Sequence, residues 1–215
     1  MRYASAFCLV SVGLSVLAAV PAKAAEPPTK AQRTLLSQQP LATDPQWGLY
    51  VFTGVSAGRT ELIKLIPMPW SGDYGDNYFV GGALSRRVGR IGPHWIIDVE
   101  TGAGYRFKQV NAPEIWVAGF LRYDGFAWNR FIYTTVANGI GLSYVDRVSD
   151  VEKDARAPDG SKLLLYLAPE LTLALPERRE SELVFRFHHR SGVYGTFNGV
   201  SGGSNVVTVG FRQRW

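Results

Sequence analysis

Residues 162–176 read KLLLYLAPELTLALP, and the period of this stretch decides the fold. Leu163, Leu165, Leu167, Leu171, Leu173 and Leu175 fall on one side; Lys162, Tyr166, Glu170 and Thr172 fall on the other. Successive side chains of an extended chain point to opposite sides, so a period of two marks a strand with unlike faces. Pro169 interrupts the apolar side, where it has no N–H to give to a ladder. Working outward, residues 94–107 repeat the pattern. Trp95, Ile97, Val99, Ala103, Tyr105 and Phe107 alternate with His94, Asp98, Glu100, Gly102, Gly104 and Arg106. The C-terminal run repeats it again, with Val207, Val209, Phe211 and Trp215 against Thr208, Gly210, Arg212 and Arg214.

Eight such runs are predicted, at 47–58, 77–89, 93–107, 113–125, 130–146, 162–176, 181–191 and 204–215. Each reaches the roughly 9–11 residues that a tilted strand needs to cross a bilayer, and an even count is what single-chain outer-membrane barrels require. One face carries Leu, Ile, Val and aromatics with almost no charge. The other carries Asp98, Glu100, Arg106, Arg122, Glu170, Arg186 and Arg212. A soluble lipocalin-like barrel would turn the apolar face inward, and a core of acids and bases would be a poor choice for it. The expectation is therefore an all-β fold, an eight-stranded antiparallel transmembrane β-barrel of the outer membrane. Short connections are expected around 90–92, 127–129 and 178, and longer loops at 59–76, 147–161 and 192–203; the short link at 108–112 breaks this alternation. Long loops belong outside, which puts both ends of the chain in the periplasm.

The residues before the barrel read as targeting. Arg2 gives a positive start, residues 7–20 are apolar, and Ala22-Lys23-Ala24 offers small residues for cleavage, so 1–24 is expected to be a signal peptide. Residues 25–46, rich in Pro, Gln, Thr and Ala, are expected to be a flexible periplasmic lead-in before a barrel over 47–215. Without Arg2 and Lys23, 21 basic residues face 18 acidic ones, a balance of about +3. This mild charge gives no argument for nucleic acid. The single cysteine, Cys8, lies in the signal, which leaves the barrel without a disulfide or thiol nucleophile. Gly102-Ala103-Gly104 and Gly139-Ile140-Gly141 precede no helix and so are no dinucleotide loop; glycines there serve bending or close packing. The tryptophans at 47, 95, 116, 128 and 215 are expected in interface girdles or packing. Eight strands leave an interior just wide enough for side chains. That disfavours a pore and moves function to the outer wall, the rim or the loops.

One segment carries chemistry: Phe185-Arg186-Phe187-His188-His189-Arg190-Ser191-Gly192, at the upper end of the seventh strand. Alternation puts Phe185, Phe187, His189 and Ser191 toward lipid and Glu182, Arg186 and His188 toward the lumen. A His and a Ser two apart on one face are neighbours, and an imidazole so placed can take a proton from the hydroxyl. A plain reading is that both sit at headgroup level, where polarity costs little.

This His-x-Ser, followed by a Gly/Asn-rich loop and a last strand ending in Trp215, resembles the outer-membrane lipid A 3-O-deacylase (PagL-type) family. The stretch from about Asp98 to Trp215 also resembles acyloxyacyl-hydrolase-like barrels. The resemblance implies a barrel hydrolase, without cofactor or metal, that removes an ester-linked acyl chain from lipid A of the lipopolysaccharide leaflet through a Ser-His-acid triad. It implies Ser191 as nucleophile and His189 as general base. The family's Asn after the serine is Gly192 here, and where its Glu would lie the chain reads Ser201-Gly202-Gly203-Ser204-Asn205. Either the acid comes from elsewhere, with Glu152 and Asp150 the candidates, or the triad is incomplete. Asn198, Asn205 and N–H groups near Gly192 are candidate oxyanion donors, and Arg190, Arg147 and Lys153 are candidate phosphate contacts. The competing reading is a non-enzymatic barrel that binds a partner through loops 59–76 and 147–161.

Overall fold

The computed structural model describes residues 46–215; the expected signal peptide and nearly all of the lead-in lie outside the described residues. Eight strands close into one antiparallel barrel in simple chain order. They are β1 (Trp47–Ser56), β2 (Asn77–Ile91), β3 (Trp95–Lys108), β4 (Ala112–Tyr123), β5 (Tyr133–Val145), β6 (Leu163–Leu175), β7 (Arg178–Ser191) and β8 (Gly203–Arg214). Closure runs through β1 and β8, where Trp47 and Trp215 exchange backbone hydrogen bonds of 3.0 and 2.9 Å. A closed sheet has no edge left to satisfy, which is what a bilayer demands of strands.

Every predicted run is a strand, with two starts shifted by three residues. β7 starts at Arg178 rather than 181, so the turn expected around 178 is only 176–177. β5 starts at Tyr133 rather than 130, because 124–132 forms a closed turn of its own. Asn129 ties it: its amide donates to the Asp124 carbonyl at 2.6 Å, and its side-chain oxygen accepts from the Thr134 N–H at 2.9 Å. Trp128 stacks on Phe126 with ring centroids 4.7 Å apart. The opposite end carries the loops 57–76, 109–111, 146–162 and 192–202, so the turn end and the loop end are distinct. The 57–76 loop includes a single helical turn, α1 (Leu62–Leu65).

The faces follow the alternation. Leu49, Val51, Val99, Ile115, Val117, Ile140, Leu171, Leu183, Phe185 and Phe211 are exposed on the outer wall. The lumen is solid. Toward the turn end, Glu170 receives Arg122 (2.7 Å), Arg186 (2.8 and 2.5 Å) and Arg212 (2.9 and 2.7 Å). Asp98 binds Arg122, Glu100 takes Arg186 in a two-pronged pair, and Glu182 bridges Arg212 and Arg214. Above lies an aromatic layer of Phe52, Phe79, Trp116 and Tyr166 around His188. The glycine runs serve this layer. Trp116 lies over Gly102, Phe79 over Gly104 and Phe120 over Gly139, so closely that a Cβ on Gly102 would stand 2.1 Å from the indole. Among the tryptophans, Trp116 is thus interior packing, while Trp47, Trp95, Trp128 and Trp215 stand exposed at the turn end, as a girdle does.

An apolar, solvent-facing wall around an interior of paired charges reverses a soluble barrel and suits lipid outside. No helix among the described residues is long and apolar enough to cross a membrane.

Candidate active site

β7 positions the polar pair. Its inward residues Glu182, Arg186, His188 and Arg190 are fully buried, and Phe185, Phe187, His189 and Ser191 look outward. His188 belongs to the lumen, with Nε2 2.6 Å from Glu114, whose carboxylate also accepts from Arg106 and Ser143. His189 faces the other way and pairs across the strands with Leu167 of β6 and Asn205 of β8. Ser191 pairs with Leu165 and Gly203. Gly203 matters for access, because a Cβ there would lie 2.6 Å from the Arg190 carbonyl and 3.2 Å from Cε1 of His189.

The ring of His189 is held by β8. Its Nδ1 is 2.7 Å from the Asn205 side-chain oxygen, and the Asn205 amide nitrogen donates to the Thr60 carbonyl at 2.6 Å. Ser191 Oγ accepts from the Val193 N–H at 2.9 Å, which leaves the hydroxyl proton to be donated elsewhere. The following turn is tight: Val193 and Tyr194 both take positive φ, at 50° and 55°. The turn closes on itself through Phe197 N–H to the Gly192 carbonyl, 2.8 Å.

Several sequence expectations need correction. Glu152 does not meet His189. It caps the loop end of the lumen, where it accepts from Ser204 Oγ at 2.5 Å and lies 3.8 Å from Arg190, on the inner side of the wall. Asp150 is exposed and paired with Lys153 at 2.8 Å. Arg190 is no phosphate contact at the rim. It lies between two outward residues, so alternation turns it inward; it is 0 % exposed and donates to the Lys162 carbonyl at 2.9 Å. Asn198 straps the 192–202 loop to β6, donating to the Leu163 carbonyl at 2.8 Å and to Ser161 at 3.2 Å, so these donations are not aimed at Ser191. Asn205, expected as an oxyanion donor, is the partner of His189 instead. Gly192 keeps the least committed amide of the group, at 3.4 Å from the Gly202 carbonyl.

The loops above this site are tied by Asp154. Its carboxylate accepts from the N–H groups of Ala157 and Arg156 on its own loop, and of Ser201 and Gly202 on the 192–202 loop. These backbone bonds, Ala157 and Arg156 first, hold its pKa below the usual aspartate value.

No family model matches the chain, and no curated protein matches it. Among solved structures, the chain is similar to the crystal structure of the outer membrane enzyme PagL. The TM-score is 0.53 at 13% identity, over 78% of this chain and 99% of that one. Neisserial surface protein A (NspA) aligns with TM-score 0.48 and 11% identity, over 79% and 96% of the two chains. A de novo designed transmembrane β-barrel aligns with TM-score 0.45 and 12% identity, over 80% and 96%. The class is thereby defined: the fold is that of an eight-stranded outer-membrane β-barrel.

Proposed function

We propose that this barrel is an outer-leaflet ester hydrolase that releases an ester-linked acyl chain from lipid A, with Ser191 as nucleophile and His189 as general base. The observation that carries the reading is the pair itself. His189 and Ser191 share the lipid-facing side of β7 at its loop end, with the His189 Nδ1 already engaged by Asn205 at 2.7 Å. A ring held through Nδ1 offers Nε2 to a hydroxyl, and a substrate ester anchored in the leaflet would arrive from the lipid side.

In this mechanism the Ser191 oxygen attacks the ester carbonyl while its proton passes to His189 Nε2. The tetrahedral intermediate collapses, the C–O bond to the sugar breaks, and the sugar oxygen takes the proton from His189. Water, deprotonated by the same nitrogen, then attacks the acyl-serine, releases the fatty acid and returns the proton to Ser191. The Gly192 N–H, next to the nucleophile, is the amide assigned to the developing oxyanion. Arg147, exposed on the 146–162 loop, is the basic side chain assigned to a lipid A phosphate.

The test is expression of the chain in Gram-negative cells with fully acylated lipid A, with mass spectrometry of the lipid A. Loss of one acyl chain with the wild type and not with Ser191→Ala supports the reading. Unchanged lipid A with a folded barrel refutes it. One observation favours a non-enzymatic binding barrel: His189 meets an amide where a hydrolase of this kind carries a carboxylate. Unchanged lipid A would leave that reading in place.

A further inference from the structure

Asn205 stands beside His189 across the β7–β8 ladder and is only 4% exposed despite lying on the outward face of β8. The backbone of the 57–76 loop covers it, bringing the Thr60 carbonyl to 2.6 Å from its amide nitrogen. An amide can turn either end toward an imidazole, and the two ends have opposite consequences. If the NH2 faced Nδ1, that nitrogen would have to accept, the ring proton would sit on Nε2, and nothing could take a proton from Ser191. A carbonyl oxygen only accepts, so the Thr60 carbonyl claims the NH2 end and leaves the oxygen end for the ring. His189 therefore carries its proton on Nδ1 and its lone pair on Nε2.

We infer that Asn205, its orientation fixed by the Thr60 carbonyl, is the positioning residue of His189 and does the tautomer-setting part of a triad acid's work without the charge. The inference rests on the Ser191–His189 reading for its catalytic consequence, but its structural content stands apart. It also gives the 57–76 loop a role, since that loop holds the outer side of Asn205. The size of the effect is set by what a wrong tautomer costs a serine triad, about 10⁴-fold in kcat.

The experiment uses the full-length barrel in detergent micelles with ¹⁵N-labelled histidine. The ring nitrogen shifts of His189 are read in the wild type, Asn205→Leu and Asn205→Asp, with assignment by loss of signal in His189→Gln. Hydrolysis of lipopolysaccharide in mixed micelles is followed in parallel. The wild type is expected to show the Nδ1–H tautomer. Asn205→Leu, which keeps the volume and loses the acceptor, loses that tautomer, and its kcat falls by about 10³–10⁴-fold with KM little changed. Asn205→Asp, which keeps an oxygen toward Nδ1, retains the tautomer and most of the kcat. A wild-type ring protonated on Nε2, or an unchanged tautomer in Asn205→Leu, overturns the inference. If the wild type and Ser191→Ala are equally inactive, the hydrolase reading falls while the nitrogen shifts still decide the role of Asn205.

Discussion

Replacing Glu170 with Gln tests how the barrel is held together. This carboxylate accepts from three guanidiniums, of Arg122, Arg186 and Arg212, at 2.5–2.9 Å. Removing one partner of a buried ion pair costs about 3–5 kcal/mol, because the remaining charge stays out of water uncompensated. Three stranded arginines would suggest three times that cost, but the structure argues against such a sum. Arg122 keeps Asp98 at 2.9 Å, Arg186 keeps both oxygens of Glu100 at 2.6 and 2.8 Å, and Arg212 keeps Glu182 at 2.8 Å. The variant adds one net positive charge to the cluster, and the expected loss is that of a single broken pair, about 3–5 kcal/mol. Urea unfolding of the barrel in phospholipid vesicles, followed by tryptophan fluorescence, measures it. Glu170→Gln combined with Arg212→Met removes the excess charge and is expected to recover about 1–3 kcal/mol of the loss as coupling. A single variant that loses less than about 1 kcal/mol, with an additive double variant, would show the lumen charges to be solvated and independent.

Other perturbations probe other layers. Gly102→Val drives a side chain into the Trp116 ring, whose nitrogen donates to Glu100 at 3.0 Å. It is expected to cost about 1–3 kcal/mol in the same unfolding assay. Gly203→Ala crowds the Arg190 carbonyl and the His189 ring edge. The expected result is a folded barrel, by heat-modified gel mobility, with lipid A hydrolysis reduced about 10²-fold. Asp154→Asn weakens the clamp between the 146–162 and 192–202 loops and is expected to speed proteolysis there without moving the global unfolding midpoint. Because the folded-state pKa of Asp154 is lowered, its clamp is complete above about pH 4 and is lost as pH falls through the lower folded value. Loop hydrogen exchange in the wild type, corrected for intrinsic rate, should rise on acidification, and in Asp154→Asn it should already be high at neutral pH.

The strands were legible because two chemistries alternate along them. Leu163–Leu175 and Trp95–Lys108 carry charges on one face and aliphatics on the other, and only a membrane barrel reconciles the two. The same alternation made the outward direction of His189 and Ser191 readable, and applied one residue further it turns Arg190 inward. The turn at 124–132 was hidden, because Phe131 and Ile132 extend the apolar run before β5 while the fold uses them in a turn. The partner of His189 was hidden for another reason. It depends on how the 192–202 loop, with its positive-φ residues Val193, Tyr194 and Asn198, sets the register of β8 against β7. It depends as well on a carbonyl 145 residues away in sequence, and no local spacing encodes that. The candidate acid Glu152 is spent on closing the lumen.

The filled interior also acts during assembly. A strand slipped by one residue exchanges its two faces completely. For β7 such a slip would present Glu182, Arg186 and Arg190 to hydrocarbon and push Leu183, Phe185 and Phe187 among the lumen carboxylates. Each arginine near the bilayer midplane would cost about 2–4 kcal/mol, before any lost ion pair is counted. The charge network therefore penalises a slipped register of β7 as well as holding the finished barrel together. Two identical side chains stand next to each other on that strand. That penalty favours the register in which His188 closes on Glu114 inside and His189 on Asn205 outside.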